Sequence, residues 1–286
     1  MLKMKKCFYL ISGLILITGT QIWGQYEMPE NTVEPQKIVW PEGKRAAVSL
    51  TFDDARPSQI DNGVPLFARH GVNVTFYLSP KSIKKRLDGW KNVTKTKHEI
   101  GNHTMTHPCT GNYPFSRENA LEEYDLDKIK NDIETADKEI KKLLGVTTKT
   151  FAYPCGQKFV GRGTGLQSYV PIIAEKFIAG RGWLDENSND PVFCDMAQLL
   201  AMESDGKSFE QLKQLVDNAA ANGRWLIFCG HEINDNGRQT TLIKTLEQLC
   251  EYAQDPDNGI WIDTVENISN YIFGQRKNIK ARQTVK

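Results

Sequence analysis

Ala46-Ala-Val-Ser-Leu-Thr-Phe52 runs straight into Asp53-Asp54: an apolar stretch of strand length, halted by two acids and followed by a helical stretch over Ser58–Arg69. That unit recurs along the chain. Further strands are predicted at Val72–Leu78, Glu99–Asn102, Thr150–Tyr153, Phe177–Gly180, Trp225–Cys229 and Ile260–Ile262. Further helices are predicted at Glu118–Leu144, Ser208–Asn222, Thr240–Ala253 and Val265–Phe273, several opened by Ser or Thr and closed by Gly. Strands alternating with helices imply a parallel sheet with helices outside it, because parallel neighbours need a crossover connection. In such α/β folds the chemistry sits at the C-terminal ends of the strands.

The remaining composition narrows the class. Of 286 residues, 40% are hydrophobic and 25% charged, which is ordinary for a globular chain able to bury a core. Lys and Arg number 36 against 35 Asp and Glu, so no net field favours nucleic acid, and none is expected as a partner. Met1–Lys6 is basic and Cys7–Thr18 apolar, the pattern of a signal peptide with cleavage near Gly24 and an uncleaved anchor as the alternative. The apolar run is shorter than the ~20 residues of a membrane span, so no integral membrane domain is expected after its removal. Residues 1–24 are expected to form a signal peptide, 25–43 a lead-in, 44–273 a single domain and 274–286 a basic tail, in an exported, periplasmic or secreted protein. Five cysteines remain (Cys109, Cys155, Cys194, Cys229, Cys250), without CxxC spacing. One or two bridges are open, with no pairing favoured.

Polar residues cluster just after the predicted strands. Asp53 and Asp54 can share a site only if the strand ends there and the backbone turns, since adjacent strand residues face opposite ways; a turn or helix cap before Ser58 is the other reading. His103 and His107 are four residues apart, one helical turn, which would put both imidazoles on one face able to share a metal; helix-surface or core histidines are the alternative. Asp54 is the natural carboxylate for a two-His, one-carboxylate site. His231 ends the apolar run from Trp225 and can give or take a proton near neutral pH. His70, at a helix end, and His98, at a strand start, are read as structural.

Taken in order, TFDD, HTMTH, FAYPCG and a late apolar run ending in His resemble the polysaccharide deacetylase family, carbohydrate esterase family 4, also called the NodB-homology domain. The resemblance covers roughly residues 44–272 and implies a deformed (β/α) barrel, here of about seven parallel strands. It implies hydrolysis of acetyl groups, N- or O-linked, on a polysaccharide or oligosaccharide, with one divalent metal ion, zinc ahead of cobalt, nickel or iron. Carried over by position, Asp53 is the base, Asp54, His103 and His107 are metal ligands, His231 is the acid and the Cys155 backbone N–H helps hold the oxyanion. Tyr153, Arg181, Trp183 and Asp185 are supporting or substrate-binding candidates.

Two positions depart from the family pattern. Ala152 stands where many members carry an arginine that contacts the base; Arg181, directly after an apolar run between Gly180 and Gly182, is the candidate replacement, a solvent-facing arginine paired with a helix acid being the other reading. The acid behind His231 is only loosely matched by Asp185, with Asp190 and Asp205 as rivals. The stretch Val160–Gly165 reads as a loop at the mouth or a plain surface connection. Two other functions compete: a catalytically silent glycan-binding barrel, and a metal-dependent amide hydrolase acting on a non-glycan substrate. The sugar itself stays open among acetylated xylan, peptidoglycan, chitin oligomers and biofilm polymers.

Overall fold

Strand β1 (Ala46–Asp53) is buried at all eight positions, as a parallel strand covered on both faces must be, in this computed structural model, which describes residues 37–284. The signal-peptide residues and most of the lead-in lie outside the described residues. Around β1 lie β2 (Thr75–Leu78), β3 (Glu99–Asn102), β4 (Thr150–Ala152), β5 (Ala179–Arg181), β6 (Met202–Glu203), β7 (Trp225–Gly230) and β8 (Ile260–Ile262). Their order is β5-β4-β3-β2-β1-β7-β6, every pairing parallel, with β8 on the lower half of the β1 edge whose upper half holds β2. The sheet curls into a deformed barrel. Leu199 bridges to Arg181, and Ser204 N donates to Cys229 O at 2.9 Å, so the segment between them ties the sheet's two edges together.

The helices are α1 (Val64–His70), α2 (Pro80–Ile83), α3 (Leu87–Val93), α4 (Leu126–Leu144), α5 (Val170–Lys176), α6 (Phe209–Ala221), α7 (Ile243–Gln254) and α8 (Val265–Thr284). The main core lies between the sheet and helices α1, α3, α6 and α7, where Phe52, Phe67, Phe76, Trp90, Leu212 and Leu249 pack together. Helix α4 buries Ile129, Ile133, Ala136, Ile140 and Leu144 as one stripe. It begins at Asp125, which caps Lys128 N at 2.7 Å, later than the expected Glu118; Pro114 and the turns after it occupy the intervening residues. The predicted first helix is a π-type turn (Gln59–Gly63) before α1, and the last helix continues past Phe273 through the basic segment to Thr284. Strand β6 was not legible, being only two residues long.

The two barrel ends differ in chemistry. At the N-terminal end, buried Glu99 accepts from Thr75 Oγ1 (2.7 Å), Thr150 Oγ1 and Glu266 N (2.9 Å), so one carboxylate joins three strands to the first turn of α8. Burial pushes its pKa up to about 7, with these donors opposing only in part. Its folded pKa lies above the ordinary 4.5, so the native state holds a proton that the unfolded chain releases, and stability falls as pH rises from 4.5 to about 7. Thermal melts across that interval should show this decline in the native protein, up to about 3 kcal/mol. Glu99→Gln should flatten it, and parallel profiles would contradict the assignment.

Candidate active site

At the opposite end, two aspartates meet because the backbone turns sharply once β1 ends. Asp54 has φ +74° and Ala55 φ +54°, left-handed positions that non-glycine residues rarely occupy. The turn lets Asp53, 4% exposed, and Asp54 line one cleft of about 560 Å3. Gln59 fixes it from beneath, its Nε2 donating to Asp53 O (2.6 Å) and His231 O (2.9 Å) and so tying the ends of β1 and β7.

Asp54 Oδ1 lies 3.5 Å from His103 Nε2 and 3.4 Å from His107 Nε2. The histidines are not on a helix. They belong to the loop after β3, where Thr104 (φ +62°) and His107 (φ +53°) bend the chain so that the imidazoles, 4.8 Å apart, converge. This loop is stapled by Asp132 of α4, which accepts from Met105 N (2.7 Å), Thr106 N (3.2 Å) and Thr106 Oγ1 (2.6 Å). His103 Nδ1 is 2.9 Å from Ala152 O, which makes Nδ1 the protonated nitrogen and leaves Nε2 facing Asp54. Burial lowers the His103 pKa to about 4, so the ring is neutral, the form a ligand requires. Burial by itself would raise the Asp54 pKa, but His103, His107 and Arg56 hold it well below the usual carboxylate range. Arg56, which the sequence reading missed, grips Asp54 Oδ2 with Nη2 (2.8 Å) and Nε (3.1 Å), leaving Oδ1 to the histidine side.

Asp53 carries the missing arginine's contact. Arg181 is 0% exposed, and its Nη2 donates to Asp53 Oδ1. Ala152 and Arg181 are register partners on neighbouring parallel strands, so their side chains emerge side by side on one face. The guanidinium that meets Asp53 thus comes from the strand next to the one that carries Ala152. It also lies 4.8 Å over the Tyr77 ring, and Cys229 Sγ is 3.4 Å from Asp53 Oδ2. Burial pushes the Asp53 pKa up, yet Arg181, His103 and His231 bring it below the ordinary value.

His231, 6% exposed, places Nδ1 2.7 Å from Asp205 Oδ2, and Asp205 Oδ1 accepts from His231 N (3.2 Å) and Thr241 Oγ1 (2.8 Å). Asp205 is therefore the acid behind His231. Asp185 is not; its Oδ2 accepts from Ala201 N at 2.9 Å. Burial lowers the His231 pKa, but Asp205 and the site aspartates raise it above the ordinary value, favouring the proton-donating form. Trp183 lines the cleft and meets His231 edge-on at 5.6 Å. Tyr153, expected near substrate, is buried with its hydroxyl donating to Ala197 O at 2.8 Å and does not line the cleft.

Cys155 does line the cleft, with φ +52° after Pro154, and is disulfide-bonded to Cys109 of the histidine loop. A Cβ on the next residue, Gly156, would come within 2.9 Å of Trp183 N and O, so glycine alone lets this turn abut the Trp183 loop. The Val160–Gly165 stretch borders a separate groove of about 360 Å3, beside Gly156 and Gln157.

Residues 41–161 match the model of the polysaccharide deacetylase family, in line with the resemblance carried by TFDD, HTMTH and FAYPCG. It is 28% identical over 118 residues to a peptidoglycan-N-acetylglucosamine deacetylase of Bacillus cereus (40% of this chain, 38% of that protein). It is 26% identical over 244 residues to a gellan lyase of a Bacillus species (78% of this chain, 9% of that protein). The chain thus spans well under half the length of these curated relatives. Among solved structures, a putative polysaccharide deacetylase from Mycobacterium smegmatis superposes with a TM-score of 0.62 at 13% identity, covering 85% of this chain and 95% of that one. An allantoinase superposes at 0.60 with 14% identity, covering 84% and 94%. These likenesses show the shared fold.

Arg181→Ala should lower kcat and move the acidic limb of the pH-rate profile upward, because a carboxylate that loses its cation gains pKa. Adding Ala152→Arg should restore much of both, since the two positions reach the same carboxylate. An unchanged profile in Arg181→Ala, or no recovery in a folded double variant, would contradict the exchange.

Proposed function

We propose that this chain is a metal-dependent hydrolase that removes acetyl groups from a glycan. The observation that carries the reading is the convergence of Asp54 Oδ1, His103 Nε2 and His107 Nε2, with Asp53 beside them and His231 across the same cleft. Two neutral-capable imidazoles and a carboxylate suit a borderline divalent ion such as zinc while leaving positions open. An ion held there would lower the pKa of water and polarise an acetyl carbonyl.

The chain's own groups supply the rest. Asp53, kept ionised and oriented by Arg181, takes the proton from the attacking water. The backbone N–H of Cys155, fixed by Pro154 and the Cys109 bridge, is the donor offered to the developing oxyanion. His231, held through Nδ1 by Asp205, gives a proton from Nε2 to the leaving amine or alkoxide. The arginine at position 181 supports catalysis over a silent binding barrel, because the contact that Ala152 cannot make is made from β5. The export signal read at the N-terminus, and with it a periplasmic or secreted location, belongs to this proposal.

Acetylated oligosaccharides incubated with the protein should release acetate. Chelation should stop the release and zinc should restore it, while His103→Ala should lose both bound metal and turnover yet keep a cooperative melt. Acetate release that survives complete metal removal, or no release from any acetylated glycan by metal-loaded protein, would overturn the reading.

A further inference from the structure

Charge is segregated by sign around the cleft in a chain that is nearly neutral overall, with 36 basic and 35 acidic residues. The acids lining the cleft are Asp53 and Asp54, already matched by Arg181 and Arg56. The other charged side chains lining it are Lys81, Lys85 and Arg238, all basic. They come from separate walls, Lys81 and Lys85 from α2 and the turn after it, Arg238 from the loop before Thr240. All three are exposed, and none forms an ion pair among the described residues, whereas neighbouring Arg86 is committed to Asp61 through Nη2 at 2.9 Å and Nε at 3.0 Å. Three uncompensated cations repel one another, and a neutral sugar chain offers nothing to offset them.

The same cleft carries an apolar platform. Tyr113 and Phe115 stack with ring centroids 5.5 Å apart and planes 12° from parallel, yet remain 42% and 68% exposed. Phe115 is 6.3 Å from the His107 ring. Flat aromatic faces left open to solvent beside a reaction centre suit the C–H face of a sugar ring.

We propose that the substrate is an acetylated anionic glycan, in which sugars stacked on Tyr113 and Phe115 bear negatively charged substituents held by Lys81, Lys85 and Arg238. The inference rests on the deacetylase reading for the reaction, and the cleft's charge supplies the substrate class. Carboxylates of uronic acids and sulfate esters share the required chemistry.

Binding of unacetylated oligomers, which needs no turnover, tests it. By titration calorimetry at low salt, an oligouronate or a sulfated oligosaccharide should bind metal-loaded protein at least about tenfold more tightly than a neutral oligosaccharide of equal length. Whichever of the two binds identifies the anion. The preference should shrink at about 1 M salt, where the screening length is about 3 Å. It should also collapse in Lys81→Gln/Lys85→Gln/Arg238→Gln, with Lys85→Glu alone reversing part of it should the triple variant fold poorly. With acetylated forms, the acidic-to-neutral ratio of kcat/KM should fall in the same variants. Equal affinity for acidic and neutral oligomers overturns the inference whether or not acetate is released. Anion preference without any acetate release keeps the ligand class and removes the reaction.

Discussion

The buried ion pair between Arg181 and Asp53 is the constraint on which the site depends. Arg181 is fully buried and Asp53 only 4% exposed at the floor of the cleft, so each charge depends on the other for most of its solvation, and removing one member of such a pair typically costs about 3–5 kcal/mol. Three further contacts hold the pair: Tyr77 beneath the guanidinium, Cys229 against the second carboxylate oxygen, and Gly182 O accepting from Arg181 Nη1 at 3.1 Å. A carboxylate so placed is ionised and fixed in direction before substrate arrives. That preorganisation is what a general base needs, because no reorientation remains for the reaction step.

Everything else in the fold keeps that pair in register with the three candidate ligands. The barrel separates the duties. Its N-terminal end is closed by Glu99 and the first turn of α8, a structural junction far along the strands from the chemistry. Its C-terminal end is left to loops, four of whose ties stand out. Gln59 joins β1 to β7, Asp132 holds the histidine loop, Asp205 aims His231, and the Cys109–Cys155 bridge joins the histidine loop to the turn that presents the Cys155 N–H. Left-handed residues at Asp54, Thr104, His107 and Cys155 concentrate backbone strain at these same turns, where it shapes the cleft rather than the core.

What was legible from the sequence follows from which interactions are local. Strand and helix alternation, and the placing of Asp53, Asp54, His103, His107 and His231 after strands, needed only short-range pattern. The spacing of His103 and His107 suggests a shared helical face, whereas a strained loop after β3 is what brings the two rings together. Arg181 could be anticipated because a strand ending beside glycines points it at the mouth; its register with Ala152 places the two positions side by side on one face. Asp205 stood among three rivals that spacing cannot rank, because the contact to His231 crosses between β6 and the end of β7. Arg56, Asp132, Cys229 and the disulfide escaped for a related reason: their roles exist only once distant segments have been folded against one another, or, for Arg56, once the turn at Asp54 has been made.

In the proposed mechanism the two adjacent aspartates do different work, Asp53 as a base held by Arg181 and Asp54 as a ligand held between the histidines and Arg56. Metal titration of Asp53→Asn and Asp54→Asn, with kcat measured on the same samples, tests it most directly. Asp53→Asn should bind metal nearly as the native protein does while kcat falls by about 10² to 10⁴. Asp54→Asn should weaken metal binding by at least about 100-fold. Full metal affinity in Asp54→Asn, or loss of metal with Asp53→Asn alone, would contradict the assignment.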